Sequence, residues 1–213
     1  MKAKKGLCLW ALLIVTLIFT QSVFGVVADF ETLSPGSTCY VGNSFSVPGL
    51  TMTGEEFFWS GGGSTTAGFA TVGNSGLAGG AGNEIVFNNI NLNFDFSMPV
   101  DGLSFQFGYK GGDINLTIND EPVIVVPDIG LIPPMVGGTS VFIVGPGYGP
   151  VVNLIIPEEH GAMFIMGRIN SFKIGGQEFT IDNLIACVVP EPTSLLLLGI
   201  GGLMILRRKR RNV

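Results

Sequence analysis

Positive charge is nearly missing from the long middle of this 213-residue chain. Between residues 26 and 189 only Lys110, Arg168 and Lys173 carry it, against fifteen carboxylates, a net charge of −12. A surface of that sign repels phosphate backbones and anionic headgroups, which excludes nucleic acid as a partner. Histidine is scarcer: His160 is the only one, so any Ser-His-Asp or Cys-His catalytic set has to use it. It stands in Pro157-Glu158-Glu159-His160-Gly161, which reads as a polar turn between two apolar strands. A zinc site built on histidine lacks ligands for the same reason. Gly61-Gly62-Gly63-Ser64 is not followed by the Gly-Lys-Ser/Thr ending that holds nucleotide phosphates. Residues 113–124 have neither Gly at the sixth place nor Glu at the twelfth, so they are no helix-loop-helix calcium loop.

What is present is concentrated at the two ends. Lys2, Lys4 and Lys5 precede an apolar run over residues 7–19, and small residues follow at Gly25 and Ala28. This pattern predicts a secretory signal peptide over 1–25, with Ala28 as the other candidate cleavage point. Cys8 opens the apolar run rather than closing it, which argues against a lipoprotein anchor. At the other end, Pro190, Glu191 and Pro192 lead into an apolar run and then five consecutive basic residues, 207–211. Two proline rings keep that motif extended, a shape suited to the groove of a processing enzyme. Residues 193–206, with a transmembrane helix expected over 194–206, reach only about 21 Å at roughly 1.5 Å per residue. That is short of a hydrocarbon core of roughly 30 Å, so spanning needs snorkelling flanks or a thinned bilayer. The basic cluster holds the terminus in the cytoplasm and leaves the rest outside.

The three-part tail over 190–213 resembles the PEP-CTERM sorting signal of bacterial surface proteins, the substrate of exosortases. The resemblance implies recognition at Pro190, Glu191 and Pro192 and removal of the helix and basic tail. It also implies export linked to an extracellular polysaccharide, at the cell surface or in the matrix of a Gram-negative-type bacterium. An uncleaved tail anchor is the plainer alternative.

Residues 26–189 are one domain's worth of chain, long enough to bury a core, and their composition predicts an all-β fold. Ile90, Leu92, Phe94 and Phe96 alternate without exception with Asn89, Asn91, Asn93 and Asp95. Leu103, Phe105, Phe107 and Tyr109 alternate with polar or small residues, as do Ile114, Leu116 and Ile118. Turn residues separate the three, which predicts an antiparallel meander with one face on a core. Further strands are expected at 26–32, 84–87, 123–126, 140–144, 151–156, 164–167, 169–174 and 179–189. One-sided strands require a second sheet, so the expected fold is a two-sheet antiparallel sandwich of jelly-roll type, with a closed barrel as runner-up. The Gly-, Ser- and Thr-rich stretch 61–82 is expected to be a floppy surface excursion without a repeat. Segments 28–32 and 175–184 resemble the first and last strands of jelly-roll domains often carried ahead of PEP-CTERM tails.

Candidate sites follow from this frame. Asp29 and Glu31 lie two apart on an expected strand, with Phe30 pointing inward, and Thr180 and Asp182 flank Ile181 in the same way. If first and last strands pair, Asp29, Glu31 and Asp182 converge, and hard oxygen ligands suit Ca²⁺. Jelly-roll carbohydrate-binding modules hold a structural calcium in such a place, which the resemblance adds. The alternative is a set of acids that blunts a sheet edge. Cys39 and Cys187, the two cysteines outside the signal peptide, suggest a disulfide in a secreted chain. Trp59, with Tyr40, Tyr109 or Tyr148, offers an aromatic platform for a sugar, or else belongs to the core. Glu55 and Glu56 are the best-placed carboxylates for glycoside hydrolysis, but a solvated turn accounts for them equally, and an enzyme is not expected. Two functions remain: a non-catalytic matrix protein processed by an exosortase and associated with exopolysaccharide, or a calcium-stabilised carbohydrate-binding module.

Overall fold

The computed structural model describes residues 24–145 and 159–188. The signal segment up to residue 23, the expected strand at 151–156, Tyr148 and the whole tail from 190 lie outside the described residues. Residues Gly25–Val188 form a compact unit of their own.

Among the described residues there are seventeen strands and one helical turn. They begin with β1 (Phe24–Ala28), β2 (Thr38–Tyr40), β3 (Ser44–Val47), β4 (Leu50–Glu55), β5 (Phe57–Phe58) and β6 (Ser64–Thr65). Next come β7 (Phe69–Gly73), β8 (Glu84–Asn88), β9 (Ile90–Phe96), β10 (Val100–Tyr109), β11 (Ile114–Ile118) and β12 (Ile124–Val126). A 3₁₀ turn at Ile129–Leu131 precedes β13 (Met135–Val136), β14 (Thr139–Val144), β15 (Glu159–Ile169), β16 (Phe172–Gly176) and β17 (Phe179–Val188).

Nine strands form the larger sheet, in the order β13-β14-β15-β10-β17-β8-β7-β2, with β1 also paired to β17. Six form the second sheet, β12-β11-β16-β9-β4-β3, and β5 and β6 make a separate hairpin. The alternation drives both. Ile90, Leu92 and Phe94 of β9 and Leu103, Phe105 and Phe107 of β10 are all buried. Phe172 in the second sheet packs at 5.2 Å from Phe94 beside it and 6.0 Å from Phe105 in the larger sheet, which ties the two layers together. Fully burying one such ring is worth about 2–3 kcal/mol.

The all-β, antiparallel, two-sheet expectation holds, but the meander does not. β9 pairs with β4 and β16, β10 with β15 and β17, and β11 with β12 and β16. The turns between the three strands are corners at which the chain changes sheet. Alternation fixes which face of a strand is apolar; it carries no information on the neighbour. The result is an interleaving: β16 stands between β9 and β11, while β10 stands between β15 and β17.

Three local expectations are also corrected. The stretch 61–82 is no loose excursion, because β7 lies in it, paired to β2 and β8, with Ala70 and Val72 buried. The first strand ends at Ala28 rather than 32; Phe30 takes a left-handed φ of 62° in the bend that follows, yet is fully buried. His160 belongs to an uninterrupted eleven-residue strand, β15, instead of a turn. The first and last strands do pair, β1 against β17.

Candidate functional site

Cross-strand register lines up polar side chains on the outer face of the six-stranded sheet. One row runs Asn115, Gly175, Asn91, Glu55; the next runs Thr117, Lys173, Asn93, Thr53. The β5–β6 hairpin folds over the first row and is clipped to it through its backbone. Asn91 Nδ2 donates to the carbonyl of Glu56 (2.6 Å), and Asn115 Nδ2 donates to that of Phe58 (3.0 Å). Asp113 accepts from the backbone N–H and the hydroxyl of Ser60 at 2.9 and 2.6 Å. Gly175 is required here: a Cβ at that position would lie 2.1 Å from Asn91 Oδ1 and 2.2 Å from the Ile90 carbonyl oxygen.

Each of these asparagines spends its amide N–H on the hairpin and keeps its oxygen. Asn91 and Asn115 are 6% and 1% exposed, and Oδ1 of each is buried without a partner. Both line a cleft of about 350 Å³ between the hairpin and the 120–123 turn. Phe58 and Val123 supply its apolar surface; Glu55, Glu56, Asp120 and Glu121 supply carboxylates. The one cation there, Lys173, pairs with Glu55 at 2.8 Å. Four carboxylates against one ammonium leave the cleft negative, and its polar lining is dominated by hydrogen-bond acceptors.

A second cover lies on the larger sheet, where the residues expected to bind calcium are found. Asp182 is buried on β17, its carboxyl pushed above the usual range first by burial. The negative charges of Glu84, Glu31 and Asp29 add to that, while a hydrogen bond from Asn183 N–H (2.7 Å) offsets part of it. Asp29 and Glu31 are exposed, in a bend instead of a strand, with Asp29 Oδ1 accepting from the Glu31 N–H at 3.1 Å. Residues 74–83 cover the group. Glu84, 1% exposed, accepts from Ala78 N–H (3.1 Å), from Leu77 N–H (3.4 Å) and from the hydroxyl of Ser75. Glu31 accepts from Asn83 N–H at 2.8 Å. Glu84 escaped the sequence reading; its only signal was a carboxylate at a strand start behind a glycine-rich stretch. Among the described residues no three His, Cys, Asp or Glu side chains are gathered to hold a metal ion.

Cys39 and Cys187 are unbridged, contrary to expectation. β8 and β7 stand between β17 and β2, so the two strands are three steps apart, about 14 Å at ~4.8 Å per step, whereas a disulfide tolerates roughly 7 Å between Cα atoms. Cys39 is buried, its thiol pKa raised by that burial, and Sγ donates to the Asn43 carbonyl at 3.1 Å. Trp59 is half-buried in the hairpin turn, edge-on to Phe57 at 5.0 Å, while its neighbour Phe58 is the aromatic that lines the cleft. Tyr109 is buried and donates to the Gly112 carbonyl at 2.7 Å; Tyr40 is half-exposed on β2.

Fold and tail together define an all-β domain followed at once by a sorting segment. Residues 188–211 match the family model of the PEP-CTERM protein-sorting motif, a stretch that includes Pro190, Glu191, Pro192 and the basic cluster. The chain thus carries that motif, which marks it for export and for sorting by an exosortase. No curated protein and no solved structure matches it. Among the described residues no helix is long and apolar enough to cross a membrane.

Proposed function

We propose that residues 26–189 are the working part of a non-catalytic protein of the bacterial surface or extracellular matrix, associated with exopolysaccharide. In this reading the 194–206 segment anchors the exported chain in the inner membrane until the exosortase processes it at Pro190, Glu191 and Pro192. The observation that carries the proposal is the sorting motif at 188–211. A jelly-roll arrangement is the finer fold reading, supported by the way successive strands β9, β10 and β11 alternate between sheets. The test is mass spectrometry of extracellular material from the producing strain and from one lacking its exosortase. The expected product begins near Val26, ends near residue 190 and cosediments with the polymer. Intact full-length chain in both strains, or a product found free of polymer, sinks the reading.

A second reading, a carbohydrate-binding module stabilised by Ca²⁺ at Asp29, Glu31 and Asp182, draws on the mutual repulsion of Asp182 with Asp29, Glu31 and Glu84. A divalent ion there relieves that repulsion, with hard oxygen donors of the type calcium prefers. Melting of the mature protein with calcium and with EDTA decides it: equal midpoints remove calcium from the account.

A further inference from the structure

Eleven large apolar side chains are exposed among the described residues, and seven of them share one surface, the outer face of the larger sheet. Register places them. Phe142 of β14 stands opposite Phe164 of β15, and Ser140 opposite Met166, with Met135 beyond it on β13. Across β10 the same two rows continue through Ser104 to Ile185 and through Gly102 to Cys187 on β17. Val144 lies two residues on from Phe142 and on the same face. Val27 points outward from β1, since Val26 and Ala28 beside it pack inward. The two rows carry no charged side chain, and beyond Met166 and Gly102 the ions Arg168 and Asp101 pair with each other at 3.8 Å. The outer face of the six-stranded sheet is the opposite case, with Ser44, Thr53, Asn93 and Lys173 in one row.

We infer that this apolar face docks a second copy of the chain, related by a two-fold axis, so that the protein is a homodimer. Size, shape and charge choose that occupant. The seven side chains are 41% to 64% exposed; at roughly 150–250 Å² per large side chain they present on the order of 700 Å² together. The largest apolar patch of a typical monomer is about 300–600 Å², whereas each partner in a standard interface gives about 800 Å². A ridge of Phe142, Phe164 and Met166 lies beside a trough floored by Gly102 and Ser104 and closed by Ile185. A two-fold axis between ridge and trough seats each copy's ridge in the other's trough, the self-complementary contact that an isologous interface needs. Three cations against fifteen carboxylates leave residues 26–189 at −12, which opposes an anionic lipid surface and opposes a second copy everywhere except on an uncharged face. Rows rich in Phe and Met and empty of charge have the composition of an interface core. The inference stands apart from the surface-protein reading, since it depends on the folded domain alone.

The test is sedimentation velocity of the secreted protein across the micromolar range. A reversible species of twice the chain's mass is expected, and Phe164→Lys should weaken its association on the order of a hundredfold. That variant lowers the net negative charge, so a loss of association cannot come from added repulsion between copies. Gly102→Leu is the second variant. A Cβ there meets nothing closer than the Ile165 carbonyl oxygen at 3.6 Å, so the fold has room for it. The leucine fills the trough while making the face more apolar: it should abolish association where ridge meets trough, and strengthen it where the face is only adhesive. Cys187 gives a local readout. Half-buried on this face, it should alkylate several-fold more slowly in the dimer than in Phe164→Lys, with buried Cys39 as the reference. A monomer at every concentration overturns the inference and leaves the face to lipid or to the chain that joins β14 to β15. A dimer that survives either variant, or that leaves Cys187 fully reactive, overturns it too, because its contact lies elsewhere.

Discussion

Two glycine-rich covers fold over the outer faces of this sandwich, and they solve the same problem with opposite remainders. The hairpin β5–β6 lies on the six-stranded sheet, and the 74–83 loop lies on the larger one. Under the hairpin, neutral amides donate to backbone carbonyls and are left with spare oxygens. Under the loop, carboxylates accept from backbone N–H groups and are left with crowded negative charge. A cover held through its carbonyls leaves neutral amide oxygens buried beneath it. A cover held through its N–H groups leaves charge behind, which suits a cation or a proton.

Substitutions can break each side of that contrast. The largest effect is expected at Gly175→Ala, where the new methyl would meet backbone as well as the Asn91 amide. Overpacking of this kind costs about 1–3 kcal/mol, and at roughly 2–4 °C per kcal/mol the melting midpoint should fall by about 2–12 °C. Next comes Asp113→Ala, which removes both bonds to Ser60. A loss of about 2 kcal/mol is expected for bonds to a charged group, with a change in Trp59 emission as the hairpin loosens. An unaltered Trp59 signal argues that the hairpin is held by packing alone.

Asp182→Asn should act in the other direction. The folded carboxyl is raised above its unfolded value, so its ionised form is disfavoured in the fold. That penalty is absent below the unfolded range near pH 4 and fully present once pH exceeds the raised value. The variant should therefore melt higher than the parent at pH 7 in EDTA, and the gain should vanish as pH falls toward about 4. A lower midpoint at pH 7 in calcium, with the gain kept in EDTA, places the ion at this carboxylate. Smallest of all is Lys173→Met. Its pair with Glu55 is partly exposed, so a change of less than about 1 kcal/mol is expected in melting, and a larger one makes that pair part of the frame that holds the cleft.

How much of this was legible without coordinates follows from what alternation encodes. Ile90 to Phe96 and Leu103 to Tyr109 declared their apolar faces, and with them the all-β class and the need for two sheets. Their partners were not declared, because a strand's neighbour is chosen by packing across the whole domain. Hence β16, eighty residues downstream, separates β9 from β11. β7 was hidden by its company: Phe69, Ala70 and Val72 are apolar enough for a strand but sit among glycines and threonines. Asp182 was visible as part of an acidic set, while Glu84, its nearest analogue in burial, had no pattern around it. The cleft was invisible in principle, since Asn91 and Asn115 face each other only across Gly175. Cys39 and Cys187 misled because parity says nothing of the strands that stand between them. The tail, by contrast, is a linear signal, readable residue by residue.

Since β17 is an interior strand of the larger sheet and ends at Val188, where the sorting motif begins, the strand that joins β10 to β8 and the address label are neighbours in the chain. A chain that ends before Phe179 lacks both its label and the strand that stands between β10 and β8. Completion of the domain and possession of the sorting motif are thereby coupled by their order along the chain alone.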